Sequence, residues 1–104
     1  MLNVSPGQLS TIKQILAQYL SGCEVRAFGS RVNGSADSHS DIDLAVIAPG
    51  KMKLTTKTLL NEAFEESDLP FRVDIIDYNA VSDEFRAIIN TKYEILQKNN
   101  EATI

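Results

Sequence analysis

Asp41 and Asp43 stand one residue apart in the stretch GSRVNGSADSHSDIDLAVI, which runs from Gly29 to Ile47 of a 104-residue chain. In an extended strand, residues two apart point to the same face, so the two carboxylates project together while Ile42, Leu44 and Val46 turn the other way. Like charges held side by side repel and cost folding free energy unless a cation sits between them. Hard cations such as magnesium favour carboxylate oxygens and often take only one or two, with substrate phosphates completing the shell. Two such ions about 3.5–4 Å apart stabilise the attacking and leaving oxygens of a displacement at phosphorus. The pair therefore reads as a metal mount; the plain alternative is a polar loop running into a strand.

Gly29-Ser30, upstream, supplies what such a mount needs beside it. A glycine just after a strand lets the backbone turn sharply and approach a ligand closely. If a short helical turn follows, its free N–H groups and the Ser30 hydroxyl can hold phosphate oxygens, and Arg31 can add positive charge in the same place. Ten residues separate Ser30 from Asp41, enough to loop back and lay the next strand beside the first.

These residues need a scaffold, and the hydrophobic pattern supplies one. Ser5-Pro6-Gly7-Gln8 has the form of a capping box with proline at the first helical position, followed by Leu9, Ile12, Ile15, Leu16, Tyr19 and Leu20 at helical spacing, with Gly22 as the stop. EVRAF (24–28) alternates as a half-buried strand, and DIDLAVIA (41–48) reads as a second strand closed by Pro49-Gly50. A helix is expected from about Thr55 to Glu66, a third strand over FRVDIID (71–77), and a helix from near Ser82 carrying Phe85, Ile88 and Ile89. YEILQ (93–97) either continues that helix or forms a short strand. The order α-β-β-α-β-α implies an α/β (α+β) fold, a small mixed sheet with helices packed against it.

Gly-Ser, ten residues, then Asp-x-Asp resembles the signature of the polymerase-beta-like nucleotidyltransferases, and GSRVNGSADSHSDIDLAVI looks like the small branch called minimal nucleotidyltransferases (MNT). The resemblance runs from about Val25 to Asp77. It implies a third carboxylate on a neighbouring strand, of the form apolar-Asp-apolar-apolar, which fits Val73-Asp74-Ile75-Ile76. Alternation sets Asp74 opposite to Val73 and Ile75, whereas Asp77 falls on the other parity at the strand's end; Asp74 is the favoured third acid. The implied chemistry is nucleotidyl transfer. A nucleoside triphosphate, ATP by expectation, rests its β- and γ-phosphates on Gly29, Ser30 and Arg31. Magnesium, two ions by expectation, is held by Asp41, Asp43 and Asp74. An acceptor hydroxyl attacks the α-phosphorus in line, Asp74 completing a metal site or taking the proton.

Composition bounds the rest. Hydrophobic residues at 43% and charged residues at 23% are ordinary for a globular protein, and this length suits a single domain with one core, with a polar tail from about residue 98. A net charge of −4 and four scattered arginines leave no basic run, so no direct nucleic-acid binding is expected. The single cysteine, Cys23, excludes an internal disulfide and a multi-cysteine zinc site. No apolar stretch reaches the roughly 18 residues of a spanning helix and the start lacks a signal-peptide pattern, so a cytoplasmic location is expected.

His39 reads as a solvated loop residue, and Asp37, four residues before Asp41, lacks the further oxygen ligands, central glycine and late glutamate of a calcium loop. Asp83 and Glu84 read as acids suited to a helix start, and Tyr19, Tyr78 and Tyr93 as too dispersed for a base-stacking platform. A core this small leaves little room for an acceptor pocket, which points to a second chain. The resemblance gives that chain an identity: MNT proteins are commonly paired with HEPN-domain proteins as antitoxin and toxin, and some transfer AMP to a partner tyrosine. The rival readings are a module that neutralises a HEPN partner by contact alone and a small-molecule nucleotidyltransferase subunit.

Overall fold

Among the described residues four strands form one mixed sheet, and its three registers fix where the polar residues fall. The computed structural model describes residues 2–34 and 40–98; Asp37, His39 and the polar tail beyond Lys98 lie outside them. The elements are α1 (Pro6–Tyr19), β1 (Glu24–Phe28), α2 (Ser30–Asn33), β2 (Ile42–Ile47), α3 (Leu54–Glu66), β3 (Val73–Asp77), a 3-10 turn (Tyr78–Ala80), α4 (Asp83–Thr91) and β4 (Glu94–Gln97). The strand order is β3-β2-β1-β4; β1 runs antiparallel to both β2 and β4, and β2 runs parallel to β3. The mixed sheet with packed helices matches the expected fold class.

α1 starts as its sequence dictates. The Ser5 side chain accepts from the Gln8 backbone N–H (3.1 Å) while the Gln8 side chain accepts from the Ser5 N–H (2.9 Å), closing the capping box. Replacing Ser5 with alanine should lower stability by about 1 kcal/mol in chemical denaturation, since the Gln8 N–H loses its side-chain acceptor.

Alternation along the strands divides the sheet into two faces. Val25, Ala27, Ile42, Leu44, Val46, Val73 and Ile75 meet Ile12 and Leu16 of α1 and Leu60 and Phe64 of α3 in the main core. Cys23 is buried there too, as a small apolar residue near a helix end. The other face is covered only in part: Phe28 and Ala45 pack with Ile89 of α4, flanked by Ile76, Tyr78 and Phe85. The Phe28 and Phe85 rings meet edge to face, centroids 6.0 Å apart.

The structure resolves or shifts three expectations. YEILQ does not continue α4; Lys92 turns the chain to extended geometry (φ −155°), and Glu94–Gln97 pairs with β1 as the far edge strand. Asp41 immediately precedes β2, and Phe71 and Arg72 precede β3. The reason is the ladder: the Ile42 N–H donates to the Arg72 carbonyl (2.9 Å), and regular pairing begins only at Ile42 and Val73.

Candidate active site

The strand registers place the chemically interesting residues in a row. Phe28, the residue before Gly29, pairs with Asp43 across the β1–β2 ladder, and Asp43 pairs with Asp74 across the β2–β3 ladder. Side chains opposite one another in neighbouring strands share a face, so Asp43 and Asp74 stand side by side on the partly covered face. They are there because Ile42, Leu44, Val73 and Ile75 claim the opposite face for the core. Asp41 sits at the same end, where β1 finishes and β2 and β3 begin.

Gly29 is tied to this row by backbone geometry. It caps α2 with φ 85° and ψ −158°, a conformation open essentially to glycine alone. A Cβ on Gly29 would collide with Oδ2 of Asp43, so the turn and the carboxylate occupy adjoining space with none to spare. The turn then enters α2 (Ser30–Asn33), the short helical segment expected after Gly29-Ser30.

The electrostatics are those of crowded acids. Burial, then the neighbouring Asp74, then Asp41 raise the Asp43 carboxyl above its ordinary 3.8, while Arg72 pulls the other way. Arg72 is the residue that reasoning from the sequence passed over. Its Nη2 lies 3.4 Å from Asp41 Oδ2 and 3.2 Å from Asp74 Oδ1, spanning the two acids. The signal was available, because Arg72 and Asp74 are two apart at the entry of a strand.

This donor set suits a hard dication. Among the described residues no three metal-binding side chains close into a ready-made cage. Magnesium seldom uses one; a few carboxylates plus substrate phosphates are its usual shell. Burial and the neighbouring acids together raise the Asp43 carboxyl, and that strain is what a dication would relieve.

Other expected residues take different places. Arg31 is 5% exposed. Its Nε donates to the Ser40 carbonyl and its Nη1 to the Asn3 carbonyl, both at 2.8 Å, and its guanidinium lies 4.1 Å from the Phe71 ring centroid. Ser40 precedes Asp41 and Phe71 precedes Arg72, so Arg31 braces the segments that deliver the acids. Asp77 accepts from the Met52 N–H (2.9 Å) and the Asn79 N–H (3.1 Å), pinning two loops and standing apart from the row. Tyr78 and Tyr93 do come together, but around Arg26, whose guanidinium lies 5.7 and 4.4 Å from their centroids. Asp83 and Glu84 occupy the first turn of α4, as their sequence position suggests.

Residues 10–102 match the family model described as "Polymerase beta, Nucleotidyltransferase". A Haemophilus influenzae protein named "Probable protein adenylyltransferase MntA" is 42% identical over 97 residues, which cover 93% of this chain and 85% of the relative. A toxin–antitoxin crystal structure with AMP-PNP superposes at a TM-score of 0.73 and 24% identity, covering 86% of this chain and 72% of the other. The toxin–antitoxin structure MntA-HepT gives 0.68 and 19%, covering 93% and 75%. The last two are likenesses of fold.

Proposed function

The chain belongs to the polymerase beta nucleotidyltransferase family, and from that premise we propose that it moves AMP from ATP onto a tyrosine hydroxyl of a HEPN-domain partner, as the antitoxin of a toxin–antitoxin pair. The observation that carries the reading is the row Gly29, Asp43, Asp74, with Asp41 at its end. The 42% identity to a protein named as an adenylyltransferase supports the nucleotide and the protein acceptor. The likeness to the MntA-HepT pair supports the partner.

In this reading the Gly29 turn and the Ser30 hydroxyl hold the β- and γ-phosphates, and Arg31 contributes from beneath by bracing the loops that carry Asp41 and Arg72. Asp41, Asp43 and Asp74 would hold magnesium, two ions by our reading, whose chemistry here is neutralising charge on the phosphate oxygens. Since the triphosphate tail lies on the β1 side, in-line geometry brings the acceptor from the β3 side, where Asp74 is placed to take the hydroxyl proton. The new oxygen–phosphorus bond forms as the bond to pyrophosphate breaks. No described helix is long and apolar enough to cross a membrane; we place the reaction in the cytoplasm, beside the partner.

Incubation with the purified HEPN partner, magnesium and ATP labelled at either end tests this directly. Label at the α-phosphorus should pass to the partner and label at the γ-phosphorus should leave as pyrophosphate; label from the γ position on the partner would make the chain a kinase. Asp74 and Asp77 should separate in the same assay. Asp74→Asn should lower the transfer rate by about a hundredfold, the scale of losing a general base. Asp77→Asn should keep most of the rate, because its work is in the loops around Met52 and Asn79.

A further inference from the structure

We infer that Arg72 is a resident counter-ion of the acid cluster, balancing Asp41 and Asp74 until a divalent metal binds and then giving those oxygens up. This rests on the metal-site reading above and adds a residue that competes for the site. Both contacts use a single nitrogen, Nη2, at 3.4 and 3.2 Å, rather than the two-pronged fork that makes arginine–carboxylate pairs strong. The Arg72 side chain is also 72% exposed, so water screens the pairs and the head group can leave cheaply.

The other arginines have no such freedom. Arg26 is bound to Glu24 and Asn90, Arg31 to two backbone carbonyls, and Arg86 to the Tyr78 and Asn79 carbonyls. Arg72 also borders a cavity of about 440 Å³ between α3 and β3, with Asn61, Glu65 and Phe71 around it. That space lies on the Asp74 side, and it gives the released side chain somewhere to go. A dication and a guanidinium compete for the same carboxylate oxygens, so the arginine must weaken metal binding while it stays.

The test is a Mn²⁺ titration of the whole chain without nucleotide, followed by electron paramagnetic resonance. Arg72→Gln should bind Mn²⁺ more tightly than the parent by roughly fivefold, the scale of two exposed ion pairs. Arg72→Lys, which keeps the charge, should stay near the parent. Thermal unfolding gives a second readout: Arg72→Gln should melt lower than the parent in EDTA and gain more from Mn²⁺. Equal or weaker Mn²⁺ affinity in Arg72→Gln would overturn the inference, weaker affinity meaning that the arginine orients the carboxylates for the metal. Parent protein that binds no Mn²⁺ would overturn the metal site and this inference together, whereas an unchanged Arg72→Gln beside a parent that binds overturns the inference alone.

Discussion

Asp43→Asn should abolish nucleotide transfer, by a thousandfold or more, and yet leave a metal-free protein at least as stable as the parent. The loss of rate follows from position. Asp43 lies between Gly29 and Asp74, so in the proposed reaction it would serve both the turn that takes the phosphates and the acid row. Removing one preorganised group that stabilises charge at the reacting centre costs about 10²–10³ in rate, and a central metal ligand belongs at or beyond the top of that range. The stability follows from the raised carboxyl. A carboxyl that holds its proton more tightly folded than unfolded favours folding at low pH, and that advantage is lost as pH rises from the ordinary 3.8 through its raised value. At neutral pH the ionised Asp43 therefore costs stability in the absence of metal, and asparagine removes that cost. Thermal melts in EDTA should show Asp43→Asn level with or above the parent, and magnesium should stabilise the parent far more than the variant. A variant that melts well below the parent in EDTA would mean that Asp43 is a structural acid.

Gly29→Ala should be nearly as damaging, for two additive reasons. The backbone at φ 85° and ψ −158° costs a non-glycine residue on the order of 1–3 kcal/mol. The added methyl must also push Asp43 Oδ2 aside. Misplacement of a catalytic group by about 1 Å can cost a hundredfold in rate, and that is the expected loss of transfer even where the variant remains folded. Gly34→Ala separates the two causes. Gly34 also has positive φ, 90°, but nothing lies within 4 Å of its added Cβ. It should lose about 1–2 kcal/mol in urea unfolding, the cost of a left-handed residue, and keep its transfer rate. Equal loss of transfer in both variants would show that backbone strain, not the contact with Asp43, is what matters at Gly29.

The parts of this molecule that were legible in the sequence are those set by local chemistry. The capping box at Ser5 and Gln8, the alternation of β1 and β2 and the glycine turn at Gly29 each depend on residues within a few positions of one another. The face that Asp74 takes followed from parity, because Val73 and Ile75 had to face the core, although its choice as third acid came from the family resemblance. Contacts distant in sequence were not legible. Arg31 looked like a phosphate ligand, yet the Asn3 and Ser40 carbonyls and the Phe71 ring claim it, partners up to 40 residues away. Tyr78 and Tyr93 looked dispersed until Arg26 drew them together. β4 was ambiguous because adjacent Ile95 and Leu96 fit either period, and only pairing with β1 decides it. The nearness of Arg72 to Asp74 was available in their two-residue spacing, but its reach to Asp41 needed the parallel β2–β3 register.

The most direct measurement is the intact mass of the HEPN partner after incubation with this chain, ATP and magnesium, beside the same reaction with the Asp41→Asn, Asp43→Asn double variant. The partner should gain one or more adenosine monophosphate units with the parent chain and none with the double variant, with both chains folded by circular dichroism. An unmodified partner whose toxicity is nonetheless neutralised by the parent chain, or a double variant that modifies it as well as the parent does, would contradict the proposed transfer.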